Sequence, residues 1–376
     1  MIPGHSLISY MSDKVKAGGG LNLAQGLPGF PPPEGLTAIL RELAAEPVHQ
    51  YAPGSGDREL REIIPSLFGA GGPSADRCIV TNGATEAVTL VYLYLRSRAT
   101  GPFSTLAFDP AYESYRHLPR IFGDRFTAFT ADGSLTDRVG ELRRAVRDNG
   151  VQLICVASPG NPWGRIFSRE EWAILLDLAE EMNFSVLADG VYRELYLGDR
   201  AYLPVDRISP RLFYADSFSK TLSITGWRVG FLAAHDEHLP ALRQIHDYTA
   251  LSSPSVLQKA IARYLAAHDG GKGYLASLRE RVKTSFDLLH GELAALGFAI
   301  PPIGGGYFIW ARLPEGWGDG FEFAEQLYEK ARVAVVPGIH FSEKGGPFVR
   351  FNVARPLDEI GEAARRLAGF IKAERP

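Results

Sequence analysis

Short, continuously apolar runs alternate with amphipathic stretches through the middle of the chain. Cys78–Thr81 (CIVT), Ser104–Asp109 (STLAFD), Val151–Ala157 (VQLICVA), Phe184–Ala188 (FSVLA), Leu212–Ala215 (LFYA) and Val229–Ala234 (VGFLAA) read as strands. Runs without an apolar–polar alternation belong to strands buried on both faces. Between them, the turn Asn82-Gly83-Ala84-Thr85 leads into a predicted helix Glu86–Arg96, and Pro110 ends the second strand. Ser168-Arg169-Glu170-Glu171 forms a capping box for a helix running to about Met182. Strands alternating with helices imply a mostly parallel sheet covered by helices on both faces.

The pattern changes after about Leu275. A long charged helix leads to Gly304-Gly305-Gly306, a strand Tyr307–Ala311, a helix from about Phe321 and a strand near Val349–Val353. This predicts a smaller α+β domain. Its partner is the N-terminal arm, because Leu21–Gly26 runs into a Gly/Pro-rich loop that cannot extend the large sheet. The expected division is residues 1–44 as arm and part of the small domain, 45–274 as the large domain and 275–376 as the C-terminal small domain.

Composition narrows the function. A chain of 376 residues with 45% apolar and 11% aromatic residues folds into about two or three domains rather than staying disordered. The net charge of −3, with no Lys/Arg block, argues against a nucleic-acid partner. Cys78 and Cys155 are the only cysteines, so a disulfide framework is not expected and a reducing compartment fits. The first twenty residues lack the apolar core of a signal peptide. The longest apolar stretch, Val88 to Leu95, falls far short of the roughly 18 residues of a membrane span. A cytoplasmic enzyme that does not engage membranes is expected. Gly54-Ser55-Gly56 lacks the third glycine and preceding strand of a dinucleotide fingerprint, and Gly271-Lys272-Gly273 lacks the rest of a Walker loop. There is no HExxH and no GxSxG, so neither a protein-built metal site nor a serine hydrolase is expected.

The candidate chemistry lies at the ends of the predicted strands, where open α/β sheets place their ligands. Lys220 stands between small hydroxyl residues in Asp216-Ser217-Phe218-Ser219-Lys220-Thr221, with Arg228 eight residues on. Desolvation there lowers the pKa of a lysine and makes its amine nucleophilic toward an aldehyde. Asn82-Gly83-Ala84-Thr85 lies between strand and helix, where free N–H groups favour a phosphate. Asp189 follows FSVLA, Tyr192 follows three residues later, and Asn161 sits in the loop after VQLICVA. A carboxylate near a pyridine nitrogen keeps it protonated and lets the ring act as an electron sink. An amine, a phosphate cradle, an acid and supporting hydroxyls and arginine together point to pyridoxal phosphate.

Six segments in order carry a family resemblance: NLAQGLPGF (22–30), HQYAP (49–53), TNGATEAV (81–88), FDPAYESY (108–115), DSFSKTLSITGWRVGF (216–231) and VAVVPGIHF (333–341). The chain resembles a class I/II, fold-type I aminotransferase, and within it most the kynurenine/glutamine/methionine branch. The resemblance implies an α/β fold with a mostly parallel seven-stranded sheet and a small α+β domain from both termini. It implies that Lys220 carries pyridoxal 5'-phosphate as a Schiff base and then moves the substrate proton. Asp189 would pair with the ring nitrogen, Asn161 and Tyr192 with the phenolic oxygen, and Tyr112 would stack on the ring. Gly83, Ala84, Thr85, Ser217, Ser219 and Arg228 would hold the phosphate. Tyr51 would reach the phosphate of a neighbouring subunit, which implies a homodimer with shared active sites. Arg350 would grip the α-carboxylate of an amino-acid or 2-oxo-acid substrate, assisted by Gly26 and Asn161.

Three positions depart from the family pattern. Trp163 replaces a small residue, Gly190 stands where glutamate is usual, and Gly306 stands where near relatives often have threonine. Phe30, Tyr112, Tyr307 and Tyr248 near the expected pocket favour a large uncharged side chain of aromatic, methionine or glutamine type. A lyase, decarboxylase or oxygen-using enzyme on the same fold remains an alternative, because the surrounding protein decides which bond breaks. A non-catalytic regulatory relative fits less well, since Lys220 is present.

Overall fold

The computed structural model describes residues 6–130 and 132–374. Its strands are β1 (Leu21–Asn22), β2 (Cys78–Thr81), β3 (Ser104–Asp109), β4 (Arg125–Thr130), β5 (Leu153–Ala157), β6 (Ser185–Asp189), β7 (Leu212–Ser217), β8 (Gly230–Ala233), β9 (Phe308–Arg312), β10 (Val333–Ala334), β11 (Val336–Pro337) and β12 (Phe348–Asn352).

Seven of them form one sheet in the order β2-β8-β7-β6-β5-β3-β4. β8 runs antiparallel to both β2 and β7, and the remaining pairs are parallel. Side chains split by period two: Ile154 and Val156 of β5 face one core, whereas Leu153 and Cys155 face the other. The first face is covered by helices carrying Trp172, Leu175 and Ile261, the second by helices carrying Ala87, Val91 and Leu242. Successive connections leave β3 toward β4 on one side and, from β5, toward β6 and β7 on the other, so a crevice opens outside the carboxyl ends near β3 and β5. Both cysteines are buried and unpaired, and burial pushes the Cys78 thiol up to about 12.

The helix Arg169–Met182 begins with the expected capping box: Glu171 N donates to Ser168 Oγ at 3.1 Å and Ser168 N to Glu171 Oε2 at 2.9 Å. The edge strand β4 has no counterpart in the sequence reading. Arg125 and Ala128 are exposed and Phe129 alone is buried, so it lacks the continuous apolar run of the central strands.

A second core lies beyond the long helix Lys272–Ala295. There β11, β12 and β9 form an antiparallel sheet, and β1 pairs in parallel with β10, Leu21 opposite Val333. Leu7, Met11, Leu23 and Ala24 of the N-terminal arm are buried in this second core. The helix Glu34–Leu43 packs instead on the helix Ser255–Ala267, its Leu36 and Leu43 joining the core of the large sheet, so the segment 1–44 divides between the two cores. Among the described residues, no helix is long and apolar enough to cross a membrane.

The Gly190 departure has a packing cause. A Cβ at Gly190 would stand 2.0 Å from the Tyr214 hydroxyl. That hydroxyl donates to Asp216 Oδ2 at 2.7 Å, and Arg193 Nε donates to the same oxygen at 2.6 Å. All three side chains are buried, so none yields easily. Gly190→Ala is therefore expected to lower the unfolding free energy by about 1–3 kcal/mol, the usual range for overpacking. Denaturant unfolding checks this, and an unchanged midpoint would mean that Tyr214 moves aside freely.

Candidate active site

The carboxyl ends of the central strands and the arm of the second core enclose a cavity of about 320 Å³. One wall is built from the start of the helix Ala84–Arg98, which follows β2 and whose first turn has no side-chain cap and so leaves backbone N–H groups free. Gly83 precedes it at φ 78°, a conformation that favours glycine. A Cβ there would lie 2.6 Å from the Arg228 guanidinium. Arg228 is fixed by donating to Asn82 O and Thr225 O, each at 3.1 Å. Its closeness to Gly83 follows from the antiparallel pairing of β8 with β2, Gly230 lying opposite Thr81. Ser217 Oγ donates to Ser219 Oγ at 2.8 Å beside the same wall. Unpaired N–H groups, hydroxyls and a guanidinium form a donor set suited to a phosphate.

Lys220 projects into the cavity from the turn after β7, its Nζ donating to Gly26 O at 2.7 Å. Burial first, then Arg350 and Arg228, lower its pKa to about 8 against the pull of Asp189. At that value about a tenth of the amine is unprotonated at pH 7, far more than for an exposed lysine. Asp189, the last residue of β6, accepts from Tyr115 Oη at 2.6 Å and from Val191 N at 3.0 Å. Burial pushes its carboxyl up to about 6, and both hydrogen bonds oppose that rise.

Arg350, on β12, is fully buried. It donates to Asn161 Oδ1 at 2.9 Å and Ala24 O at 2.5 Å, while its Nε has no partner. The guanidinium lies 4.1 Å from the Phe308 ring centre and 4.8 Å from that of Phe341. Among the described residues no carboxylate hydrogen-bonds it, and burial lowers its pKa to about 10. Such a cation is stabilised by an incoming anion.

The chain is similar in sequence and fold to known proteins. The profile of the family described as aminotransferase class I and II matches residues 19–367. The chain belongs to the class I and II aminotransferases. A probable N-succinyldiaminopimelate aminotransferase of Mycobacterium tuberculosis is 30% identical, over 95% of this chain and 94% of its own. The aspartate aminotransferase of Thermotoga maritima is 27% identical, over 94% and 92%. A solved N-succinyldiaminopimelate aminotransferase from Mycobacterium tuberculosis matches with a TM-score of 0.89 at 28% identity, over 98% of this chain and 97% of that one. This aminotransferase has the fold-type I architecture and uses pyridoxal 5'-phosphate. The phosphate donors, Lys220 and Asp189 fit that group, with amine, carboxylate and cradle facing one cavity.

Of the residues singled out in the sequence, Gly26, Ala84, Thr85, Tyr112, Asn161, Asp189, Tyr192, Ser217, Ser219, Lys220, Arg228 and Arg350 line this cavity, and Gly83 abuts Arg228. Tyr192 meets the Tyr307 ring edge-on at 5.2 Å, and Tyr307 donates to Gly26 O at 3.1 Å. Tyr51 lies outside it, 80% exposed in the single chain. Tyr248 is likewise 85% exposed, so within one chain it does not shape the pocket. Phe30 lies under Arg281, 4.9 Å from its guanidinium, and is not part of the lining either.

In this aminotransferase, Tyr115 went unnoticed in the sequence reading. Its one available signal is position, three residues after Tyr112 in the first turn of the helix Glu113–Ile121. Removing its hydroxyl takes a donor from Asp189 and raises that pKa further, so the carboxylate form retreats toward higher pH. Tyr115→Phe is expected to weaken pyridoxal phosphate binding about tenfold, the scale of a hydrogen bond to a charged group. Its loss of affinity on acidification should also begin at higher pH. Cofactor titrations of the apoprotein from acid to neutral pH check this, and superimposable profiles would remove Tyr115 from that role.

Proposed function

We propose that this aminotransferase acts on L-amino acids with large uncharged side chains of aromatic, methionine or glutamine type, passing their nitrogen to a 2-oxo acid. The observation that carries the reading is the buried Arg350, unpaired at Nε and without a carboxylate partner. Among the described residues lining the cavity the cations are Lys220, Arg228 and Arg350. With those three assigned, no second guanidinium or ammonium is left for a side-chain carboxylate. Glu113, which also lines the cavity, disfavours an anionic side chain, while Ile8, Leu27 and Tyr112 offer apolar surface.

Bound pyridoxal phosphate supplies an aldehyde that condenses with amines and a ring that takes up the electron pair left when the α-proton departs. The first turn of the helix Ala84–Arg98, with Thr85, Ser217, Ser219 and Arg228, holds the phosphate. Asp189 keeps the ring nitrogen protonated, Tyr112 covers the ring, and Asn161 and Tyr192 address its phenolic oxygen. Arg350, aided by Asn161 and Gly26, fixes the α-carboxylate through a fork of N–H donors. Lys220 Nζ would carry the proton from the substrate α-carbon to the cofactor's C4′, and back in the reverse half-reaction, a task its lowered pKa suits.

The working unit in this reading is a homodimer. Tyr51, Tyr248 and Leu251 are exposed, and their segments pack together: Ser255 Oγ donates to Val48 O at 3.0 Å, and Gly54 lies against Asp247. This face would cover the partner's cavity and bring Tyr51 to its phosphate site.

Lys220→Ala should abolish steady-state transamination yet retain non-covalent pyridoxal phosphate, and near-normal turnover would refute the role given to Lys220. Arg350→Ala should raise KM for amino acids about a hundredfold, as expected for losing a bidentate charged contact, with the cofactor spectrum unchanged. If it released the cofactor instead, Arg350 would belong to the cofactor site. Single-turnover absorbance with L-methionine, L-phenylalanine, L-glutamine and L-aspartate ranks the substrates, and aspartate leading that ranking would overturn the substrate class.

A further inference from the structure

Trp163 takes no part in the chemistry above, although the family pattern has a small residue there. It lies in the loop between β5 and the helix Arg169–Met182, and packs against both the large-sheet core and the second core. Its Nε1 donates to Pro302 O, across the two cores, at 2.9 Å. The next carbonyl, Gly164 O, accepts from Gly304 N at 2.9 Å and Gly305 N at 3.0 Å. On the other side Leu197 N donates to Gly304 O at 2.9 Å and Gly306 N to Leu195 O at 2.5 Å. The glycine stretch leading to Tyr307 and β9 is therefore held between the Trp163–Gly164 loop and the segment after β6 that carries Leu195 and Leu197. Trp163 is the side chain that extends this hold toward Pro302.

The same indole stands between two hollows. One lies behind Tyr112 and Asn161, and the other is an outer hollow of about 470 Å³ lined by Trp310 and Phe348. Both are bordered by Pro110 and Trp163. A small side chain at this position would neither reach the Pro302 carbonyl nor separate the hollows. Two residues before it stands Asn161, whose Oδ1 accepts from Arg350. The partners Asn161 and Arg350 come from opposite cores, so their meeting depends on how those cores are pinned together nearby.

We propose that Trp163 is a positioning residue: its indole pins the Asn161 loop to the second core and thereby sets where Asn161 and Arg350 meet the substrate α-carboxylate. This rests on the reading of Arg350 as the carboxylate grip. It affects amino-acid binding more than proton transfer, because Asp189 at the end of β6 and Lys220 in the turn after β7 have side-chain partners of their own, Tyr115 and Val191 for the one and Gly26 for the other. The test uses the pyridoxal-phosphate-loaded enzyme in two variants. Trp163→Thr removes the ring, and Trp163→Phe keeps a ring without its N–H donor. Trp163→Thr should raise KM for the amino acid about tenfold with kcat within about twofold, as a small misplacement of a binding group does. Trp163→Phe should give a smaller rise of the same kind. Hydrogen exchange over residues 299–306 should quicken in the same order. An unchanged KM in Trp163→Thr overturns the proposal even if exchange quickens, since the pin would then be structural only. So does an equal fall in kcat and kcat/KM. Arg350→Ala in parallel separates the two readings: if that variant keeps its KM, the carboxylate grip fails, while the exchange data still report on the pin.

Discussion

Lys220, Arg228 and Arg350 share one largely buried cavity with Asp189, while Glu113, the other carboxylate there, is turned to His340. Burial and the two guanidinium groups hold the lysine amine near a pKa of 8, and Arg350, acted on by Glu113 only at a distance, has no carboxylate hydrogen bond among the described residues. Left to themselves these cations would separate into water. The two cores keep them together, and the resulting surplus of positive charge suits a phosphate and a carboxylate. Stability is lowered locally and recognition is gained, a common trade at binding sites.

Sheet topology supplies the positions. β6 and β7 end side by side, so Asp189 and the segment leading to Lys220 emerge on one edge of the crevice. The antiparallel insertion of β8 between β2 and β7 brings Arg228 against Gly83. Arg350 arrives from the second core, on the strand between β9 and β11. Behind this front, Tyr214, Asp216 and Arg193 form a buried hydrogen-bonded group that replaces the bulk a side chain at Gly190 would have supplied.

Much of this was legible in the sequence because the central strands are apolar on both faces and the chemistry stands at their ends. Lys220, Asp189 and Asn161 could be placed by local order alone. The edge strand β4 escaped because exposure on its outer side breaks the apolar run, and the two-residue strands β1, β10 and β11 are too short to show any periodicity. Tyr115 carries no local signal of its role because its partner, Asp189, is 74 positions away. The Gly190 departure acquired meaning only when Tyr214 was seen to occupy its space. Tyr51 and Tyr248 carry a different lesson, since an aromatic residue that turns outward in one chain has no local signature of what it meets.

The sequence separations across the site also set an order of assembly. Arg228 meets Asn82 across 146 positions, whereas Arg350 meets Ala24 across 326. A chain made from its N-terminus first therefore has its own groups proposed for the phosphate in hand once β8 has emerged. Arg350, proposed to grip the carboxylate, waits for β12, well after β8. The growing polypeptide is thus equipped for its prosthetic group well before it has the means to engage a metabolite, and a chain truncated between those two strands would keep the groups for the first and lack the second.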